Sequence, residues 1–181
     1  LAATGTDTGG SIRLPASFCS VVGLKPTYGS VSRYGIVAMA SSLDTIGHFT
    51  KNVEDSRTFL DVTKGVDPMD ATTLEKKHEL KPLKKIKIGV DPDFFSRSIE
   101  SESSKLLAKT YYLIKNNLAM EIIPDISLPH AEYGIACYYI IQSSEVSSNL
   151  SRYDGIRYGS PRQNFGDEAK RRIILGTFTL S

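Results

Sequence analysis

Apolar residues recur with strand and helix spacings along most of the 181-residue chain, most clearly in its middle. Residues 86–90 alternate apolar and polar and predict a strand, and residues 120–123 predict another. Residues 99–118 between them predict a helix, with a stripe at Leu106, Leu107, Thr110, Tyr111, Ile114 and Leu118. This βαβ pattern predicts an α/β fold with a mixed, largely parallel sheet core and helices on both faces.

Shorter elements are predicted near the start of the chain. Residues 12–21 predict a helix, residues 22–25 a short buried strand that ends at Pro26, and residues 46–49 a further strand. The predicted buried side of this helix consists of Leu14, Phe18 and Val21.

Two later helices have recognisable starts. Asn52 is a predicted N-cap for a helix over residues 53–64, and Pro129 precedes a long predicted helix over residues 131–152. The stripe predicted for the first of these is Val53, Phe59, Leu60 and Thr63. Residues 66–85 are polar and contain two prolines, which predicts a linker region within a single domain that spans residues 1–181.

Composition excludes several classes of protein. A net charge of +2 is too small to indicate a nucleic-acid surface, and the lysines of residues 76–87 are interpreted as a solvated run. No apolar run reaches the ~20 residues of a membrane span, so we expect a soluble cytoplasmic protein. Because the chain starts at Leu1 without an initiator Met, we expect it to be part of a longer protein.

Cysteines and histidines give no sign of a metal site. Cys19 and Cys137 lack ligand spacing and are predicted to be reduced, buried thiols. His48, His78 and His130 fall in no recognisable triad pattern, and none is assigned as a base.

The candidate site is the stretch GTDTGGSIRLP over residues 5–15. Its adjacent glycines allow positive φ and close approach to a ligand, and the hydroxyl of Ser11 follows them. The peptide N–H groups of Thr8, Gly9, Gly10 and Ser11 can converge on one point as an anion cradle or oxyanion hole. The residues alone leave two interpretations open, an ordinary tight loop and a catalytic one.

Known phosphate and hydrolase motifs do not fit this stretch. A Walker A loop requires Lys where Ser11 stands, the glycines miss the Rossmann spacing, and Arg13 replaces the last glycine of a nucleophile elbow. Asp7 and Arg13 flank the turn and predict a charge pair that fixes the loop without transferring protons.

Extended over residues 5–27, GTDTGGSIRLPASFCSVVGLKPT resembles the core of the amidase signature family. The likeness continues through YGSVSRYG at residues 28–35 and SSLDTIG at residues 41–47. SSNLSRYDGIRYG at residues 147–159 and GDEAKRRIILGT at residues 166–177 resemble one branch in particular, the A subunits of glutamyl-tRNA(Gln) amidotransferases.

The resemblance implies an enzyme that releases ammonia from glutamine through a serine acyl-enzyme, for conversion of Glu-tRNA(Gln) to Gln-tRNA(Gln). It implies Ser11 as nucleophile, the N–H groups of Thr8, Gly9, Gly10 and Ser11 as the oxyanion hole, and Tyr138 over the substrate amide. The implied base is an upstream Lys acting with a second Ser on a cis peptide bond. Neither can be placed, because no Lys precedes Ser11 in this chain.

Implied partners are the B and C subunits of the complex, and Glu-tRNA(Gln) through it. The B subunit would use ATP and Mg, whereas the A subunit would need no cofactor, and this chain alone is expected to be inactive. Two alternatives stay open: a stand-alone amidase acting on another small amide, and a non-catalytic scaffold subunit. Ser20 replaces a glycine usual in the family, and residues 73–80 and 158–165 are shorter connections than the family's.

Overall fold

The computed structural model describes residues 1–74, 86–92, 100–117, 120–124 and 126–181. The chain divides into two compact units, one formed by Leu1–Lys77 with Ala136–Ser181 and the other by His78–Ile135. Helices, an antiparallel sheet and a smaller parallel sheet are all present, which confirms the mixed α/β class.

The first unit contains a three-stranded sheet of β1 (Ala2–Asp7), β2 (Val22–Leu24) and β3 (Thr45–Thr50). Its order is β1-β3-β2 and both pairings are antiparallel, with Asp7 opposite Thr45 at the end of β1. In the described residues the larger sheet is therefore antiparallel, and the predicted parallel pairing is confined to the other unit.

The helix α1 (Arg13–Phe18) links β1 to β2, but its predicted buried side is wrong. Leu14 and Phe18 are 56% and 77% exposed, whereas Ile12 and Ala16 are buried. Ile12 and Ala16 lie four residues apart and so share the face turned to the sheet, where a Cβ added to Gly23 would come 2.5 Å from that of Ala16.

The helix α2 (Val53–Thr63) confirms the predicted cap, because the Asn52 side chain accepts the Asp55 N–H at 2.7 Å. Val53, predicted to be buried, is 66% exposed. Its place in the stripe is taken by Ser56, whose Oγ lies 2.9 Å from the Nε2 atom of His48 on β3. His48 is buried, and this burial lowers the pKa of its imidazole.

The second unit contains β4 (Ile86–Gly89), α3 (Ser101–Asn117) and β5 (Met120–Ile123), which confirms the βαβ prediction. The strands β4 and β5 pair in parallel, with Ile86 opposite Met120. In the described part of the predicted α3 stripe, Leu106, Leu107, Thr110 and Tyr111 are exposed and Ile114 is half-buried; Leu118 lies outside the described residues.

Two helices complete the first unit, α4 (Gly134–Leu150), which begins at the boundary of the second unit, and α5 (Asp167–Leu180). The predicted long helix is confirmed, with its first turn present as the 3-10 segment Ala131–Tyr133. The helices α4 and α5 cross closely, because a Cβ on Gly176 would come 1.9 Å from the carbonyl oxygen of Ser143.

Other expectations have mixed outcomes. Cys19 and Cys137 are free thiols but exposed, so their predicted burial is wrong.

Residues 67–74 of the predicted linker form a hydrogen-bonded turn around the buried Asp70 and Thr73. Residues 75–85, which include His78 and most of the basic run, lie outside the described residues. No helix in the described ranges is long and apolar enough to cross a membrane.

Candidate active site

Asp7 organises the turn that carries Ser11. It ends β1, is fully buried, and accepts the Gly10 N–H at 2.8 Å and the Ile12 N–H at 3.3 Å. Arg13 adds its Nε and Nη2 groups, each at 3.0 Å, which confirms the predicted charge pair. Burial alone would raise the pKa of Asp7, but the hydrogen bonds from Arg13 and the backbone lower it below its ordinary value. Asp7 is therefore a fixed carboxylate that holds the turn.

Gly9 and Gly10 are required for different reasons. Gly10 has a φ of 139°, in the region that favours glycine. Gly9 has no such φ, but a Cβ there would lie 2.6 Å from the ring of Tyr138 on α4. The structure thus brings Tyr138, the predicted substrate-binding residue, directly onto the Gly-Gly-Ser turn.

Ser11 follows this turn and is exposed. Within the described residues, its hydroxyl has no hydrogen-bond partner, and the N–H groups of Thr8, Gly9 and Ser11 have no acceptor. The N–H group of Gly10, the fourth one predicted for the oxyanion hole, donates to Asp7. An accessible hydroxyl beside unused N–H donors is an arrangement suited to nucleophilic attack on a carbonyl group.

Asp44 is a buried site residue that sequence reasoning left unassigned. One carboxylate oxygen accepts the Thr8 hydroxyl at 2.6 Å, and the other accepts the N–H groups of Met39 at 2.8 Å and Ala40 at 3.1 Å. Asp44 lies 36 positions from Thr8, so no local spacing could indicate this contact.

Glu145 and Asn149 on α4, which the sequence analysis does not single out, make hydrogen bonds to the loop of residues 39–44. Glu145 accepts the Ser42 N–H at 2.9 Å and also the Ser42 hydroxyl. Asn149 donates to the Met39 carbonyl oxygen, at 3.1 Å. Both side chains hold the loop of residues 39–44, which carries Asp44.

A small cavity adjoins this loop. It has a volume of about 150 Å³, and Asp44 lines it together with Arg33, Ser41 and Asp70. Hydrogen bonds from Thr72 and from the Arg33 N–H, which outweigh the effect of burial, lower the pKa of Asp70 to about 2. The two carboxylates at the cavity are thus held by donors on neighbouring loops.

The chain belongs to the amidase family, because the family model described as Amidase matches residues 1–181. Within this class, it is similar to the A subunit of glutamyl-tRNA(Gln) amidotransferase from Halothermothrix orenii, at 50% identity over 201 residues covering 99% of this chain and 42% of that protein. The corresponding A subunit from Persephonella marina is 47% identical over 201 residues, with coverages of 99% and 41%. The chain thus spans about two fifths of the length of these curated relatives.

Solved structures agree with this family. The crystal structure of the glutamyl-tRNA(Gln) amidotransferase A subunit from Thermotoga maritima has a TM-score of 0.75 at 41% identity, covering 99% of this chain and 38% of that one. An amidase crystal structure has a TM-score of 0.76 at 26% identity, with coverages of 98% and 37%. The likeness to amidase signature structures supports the predicted fold class.

Proposed function

We propose that this chain is the nucleophile-bearing part of a glutamyl-tRNA(Gln) amidotransferase A subunit, with Ser11 as its nucleophile. The observation that carries the proposal is the exposed Ser11 hydroxyl next to unused N–H groups, on a turn that Asp7 fixes. About half of the aligned positions are identical to A subunits across almost the entire chain, which favours glutamine as substrate over another small amide.

In the proposed reaction the Ser11 Oγ atom attacks the side-chain amide carbon of glutamine. A C–O bond forms, and the carbonyl oxygen becomes an oxyanion that accepts hydrogen bonds from the N–H groups of Thr8, Gly9 and Ser11. Each well-placed donor would contribute about 3 kcal/mol to the transition state. Gly10 supports this site by keeping its N–H on Asp7, which holds the turn in place.

Collapse of the tetrahedral intermediate breaks the C–N bond and releases ammonia, leaving a glutamyl ester on Ser11. Water then cleaves the ester to glutamate and regenerates the hydroxyl. The Ser11 proton would pass to the Lys and second Ser that the family resemblance places before the nucleophile, and then to the leaving nitrogen. Tyr138, whose ring covers Gly9, would lie over the substrate amide and orient it.

The remaining steps belong to proposed partners. Ammonia would pass to a B subunit that activates the glutamate of Glu-tRNA(Gln) with ATP and Mg, and a C subunit would complete the assembly. The A-subunit step itself would need neither ATP nor a metal. We propose that the complex acts in the cytoplasm during tRNA charging.

The test is Ser11→Ala in the complete gene product that contains this sequence, assayed for ammonia release from glutamine with and without the B and C subunits. Turnover should fall by about 10³-fold or more, since the nucleophile is lost. Ser17→Ala is the matched control, because Ser17 is exposed on α1 and, among the described residues, its hydroxyl bonds only the Leu14 carbonyl oxygen.

Two other outcomes separate the alternatives. Unchanged turnover in Ser11→Ala would make this serine structural and would indicate a scaffold role for the protein. A wild-type enzyme that ignores its partners and prefers other small amides over glutamine would instead be a stand-alone amidase.

A further inference from the structure

One face of α4 is turned toward the nucleophile turn and the adjoining loop. Tyr138, Gln142, Glu145 and Asn149 follow one another at spacings of four, three and four residues, which places them along a single helix face. The Tyr138 end of this face contacts Gly9, and the Glu145 and Asn149 end contacts the loop of residues 39–44.

The contacts at the second end fix both the backbone and the side chains of that loop. Glu145 accepts two hydrogen bonds from Ser42, one from the N–H at 2.9 Å and one from the hydroxyl. Asn149 donates to the Met39 carbonyl oxygen and to the Ser41 hydroxyl, both at 3.1 Å. Several hydrogen bonds from a helix, one of whose side chains is charged, fix the position of a loop more precisely than contacts from another loop do.

The loop passes this restraint to the nucleophile turn through Asp44. The Met39 and Ala40 N–H groups hold one oxygen of the buried carboxylate, which aims the other oxygen at the Thr8 hydroxyl, 2.6 Å away. The N–H of Thr8 is itself one of the unused donors beside Ser11, so its position depends on this contact.

We propose that Glu145 and Asn149 are positioning residues for the oxyanion hole, acting through the loop of residues 39–44 and through Asp44 on Thr8. The inference rests on the proposed function, because it assigns a task to the Thr8 N–H in catalysis. In the described part of the chain, neither side chain hydrogen-bonds to Ser11 or to the N–H donors beside it. A misplaced donor weakens binding of the transition state and leaves ground-state glutamine binding unchanged, so the effect should appear in kcat and not in KM.

The experiment uses the complete protein with its B and C partners and compares Glu145→Ala, Asn149→Ala and Ser11→Ala. Active sites of the wild type and of the α4 variants are counted from the burst of acyl-enzyme, and folded Ser11→Ala is counted by circular dichroism, so that kcat refers to folded enzyme alone. Each alanine variant on α4 should lower kcat by about 10- to 100-fold with little change in the KM for glutamine. Glu145→Gln, which can still pair with both Ser42 groups, should recover most of that loss.

Ser148→Ala on the same helix is the matched control, since its side chain is exposed and makes no hydrogen bond to the described residues. A Thr8→Val background tests the route, because it removes the hydroxyl that Asp44 holds and keeps the N–H. In that background Glu145→Ala and Asn149→Ala should have little further effect on kcat.

Four results would overturn the inference. Variants that lose active sites but keep the kcat of each site would show a structural role only. A full effect of Glu145→Ala in the Thr8→Val background would show that Asp44 is not the route. If Ser11→Ala is inactive but Glu145→Ala and Asn149→Ala keep the wild-type kcat, this inference alone is refuted. If Ser11→Ala is active, the proposed function is refuted and the inference with it.

Discussion

Replacing Asp7 by Asn tests whether a single buried carboxylate holds the Gly-Gly-Ser turn. The carboxylate is completely buried and accepts hydrogen bonds from three backbone N–H groups, those of Gly10, Ile12 and Arg13, as well as from the Arg13 guanidinium. An Asn side chain has the same shape, but one oxygen becomes an NH₂ group that faces donors. In place of Oδ1 this NH₂ group would deprive the Gly10 N–H and the Arg13 Nη2 group of their acceptor, and in place of Oδ2 it would deprive the Ile12 and Arg13 N–H groups and the Arg13 Nε group.

The magnitude follows from these contacts. Hydrogen bonds to a charged group contribute about 1.5–3 kcal/mol each, and Asp7→Asn removes the acceptor of at least two of them. Asp7→Asn is therefore expected to lower the free energy of unfolding by about 3–6 kcal/mol. Arg13→Ala should cost less, about 1–2 kcal/mol, because the Arg13 side chain is 54% exposed and Asp7 keeps its backbone donors.

Urea denaturation at pH 7, followed by circular dichroism, measures both variants. The matched control is Asp61→Asn, because Asp61 pairs with Lys64 on the surface of α2, where both side chains are about half exposed and no stability change is expected. The reasoning is refuted if Asp7→Asn lowers the free energy of unfolding by no more than Arg13→Ala does. Burial of the carboxylate would then add nothing to the stability of the turn.

Three further changes have expected outcomes. Ser20 has a φ of 53°, so Ser20→Gly should raise the free energy of unfolding in urea titrations by about 0.5–1 kcal/mol, whereas Ser17→Gly within α1 should lower it. Asp70 has a pKa of about 2, below its unfolded value, so its stabilisation is complete above pH ~4. The free energy of unfolding of wild type from urea titrations should therefore exceed that of Asp70→Asn by less and less as the pH falls from about 4 to 2. A difference between the two proteins that does not change with pH would contradict this prediction. Gly9→Ala should push the Tyr138 ring aside and lower glutaminase activity about tenfold, but have no further effect in a Tyr138→Ala background.

The elements that could be predicted from sequence are those with local signals. The βαβ unit has a complete alternation of strand and helix spacings, and Asn52 caps α2 through the residue three positions later. The buried side of α1 could not be predicted in this way. With only six residues the helix has too few apolar positions to define a face, and its contact with the sheet depends on Ile12 before it and on Gly23 across it.

In the candidate site, too, contacts between residues close in sequence could be predicted and contacts between distant residues could not. The Gly-Gly-Ser turn and the charge pair of Asp7 with Arg13 are close in sequence, so their residue types were sufficient to propose them. The contacts of Asp44 with Thr8 and of Glu145 with Ser42 join positions 36 and 103 residues apart. The pairing of β1 with β3 brings Asp44 to Thr8, and the packing of α4 brings Glu145 to Ser42.

The two ends of the α4 face lead to one mechanical consequence. Gly9 lies against Tyr138 at one end, and Thr8 is held through Asp44 by Glu145 at the other, so neighbouring peptide groups of the turn are restrained from the same helix. A shift of α4 would therefore move the proposed substrate contact of Tyr138 and the proposed oxyanion donors together. Because both groups must be aligned at the same moment of the proposed reaction, mounting them on one rigid helix keeps their relative positions fixed.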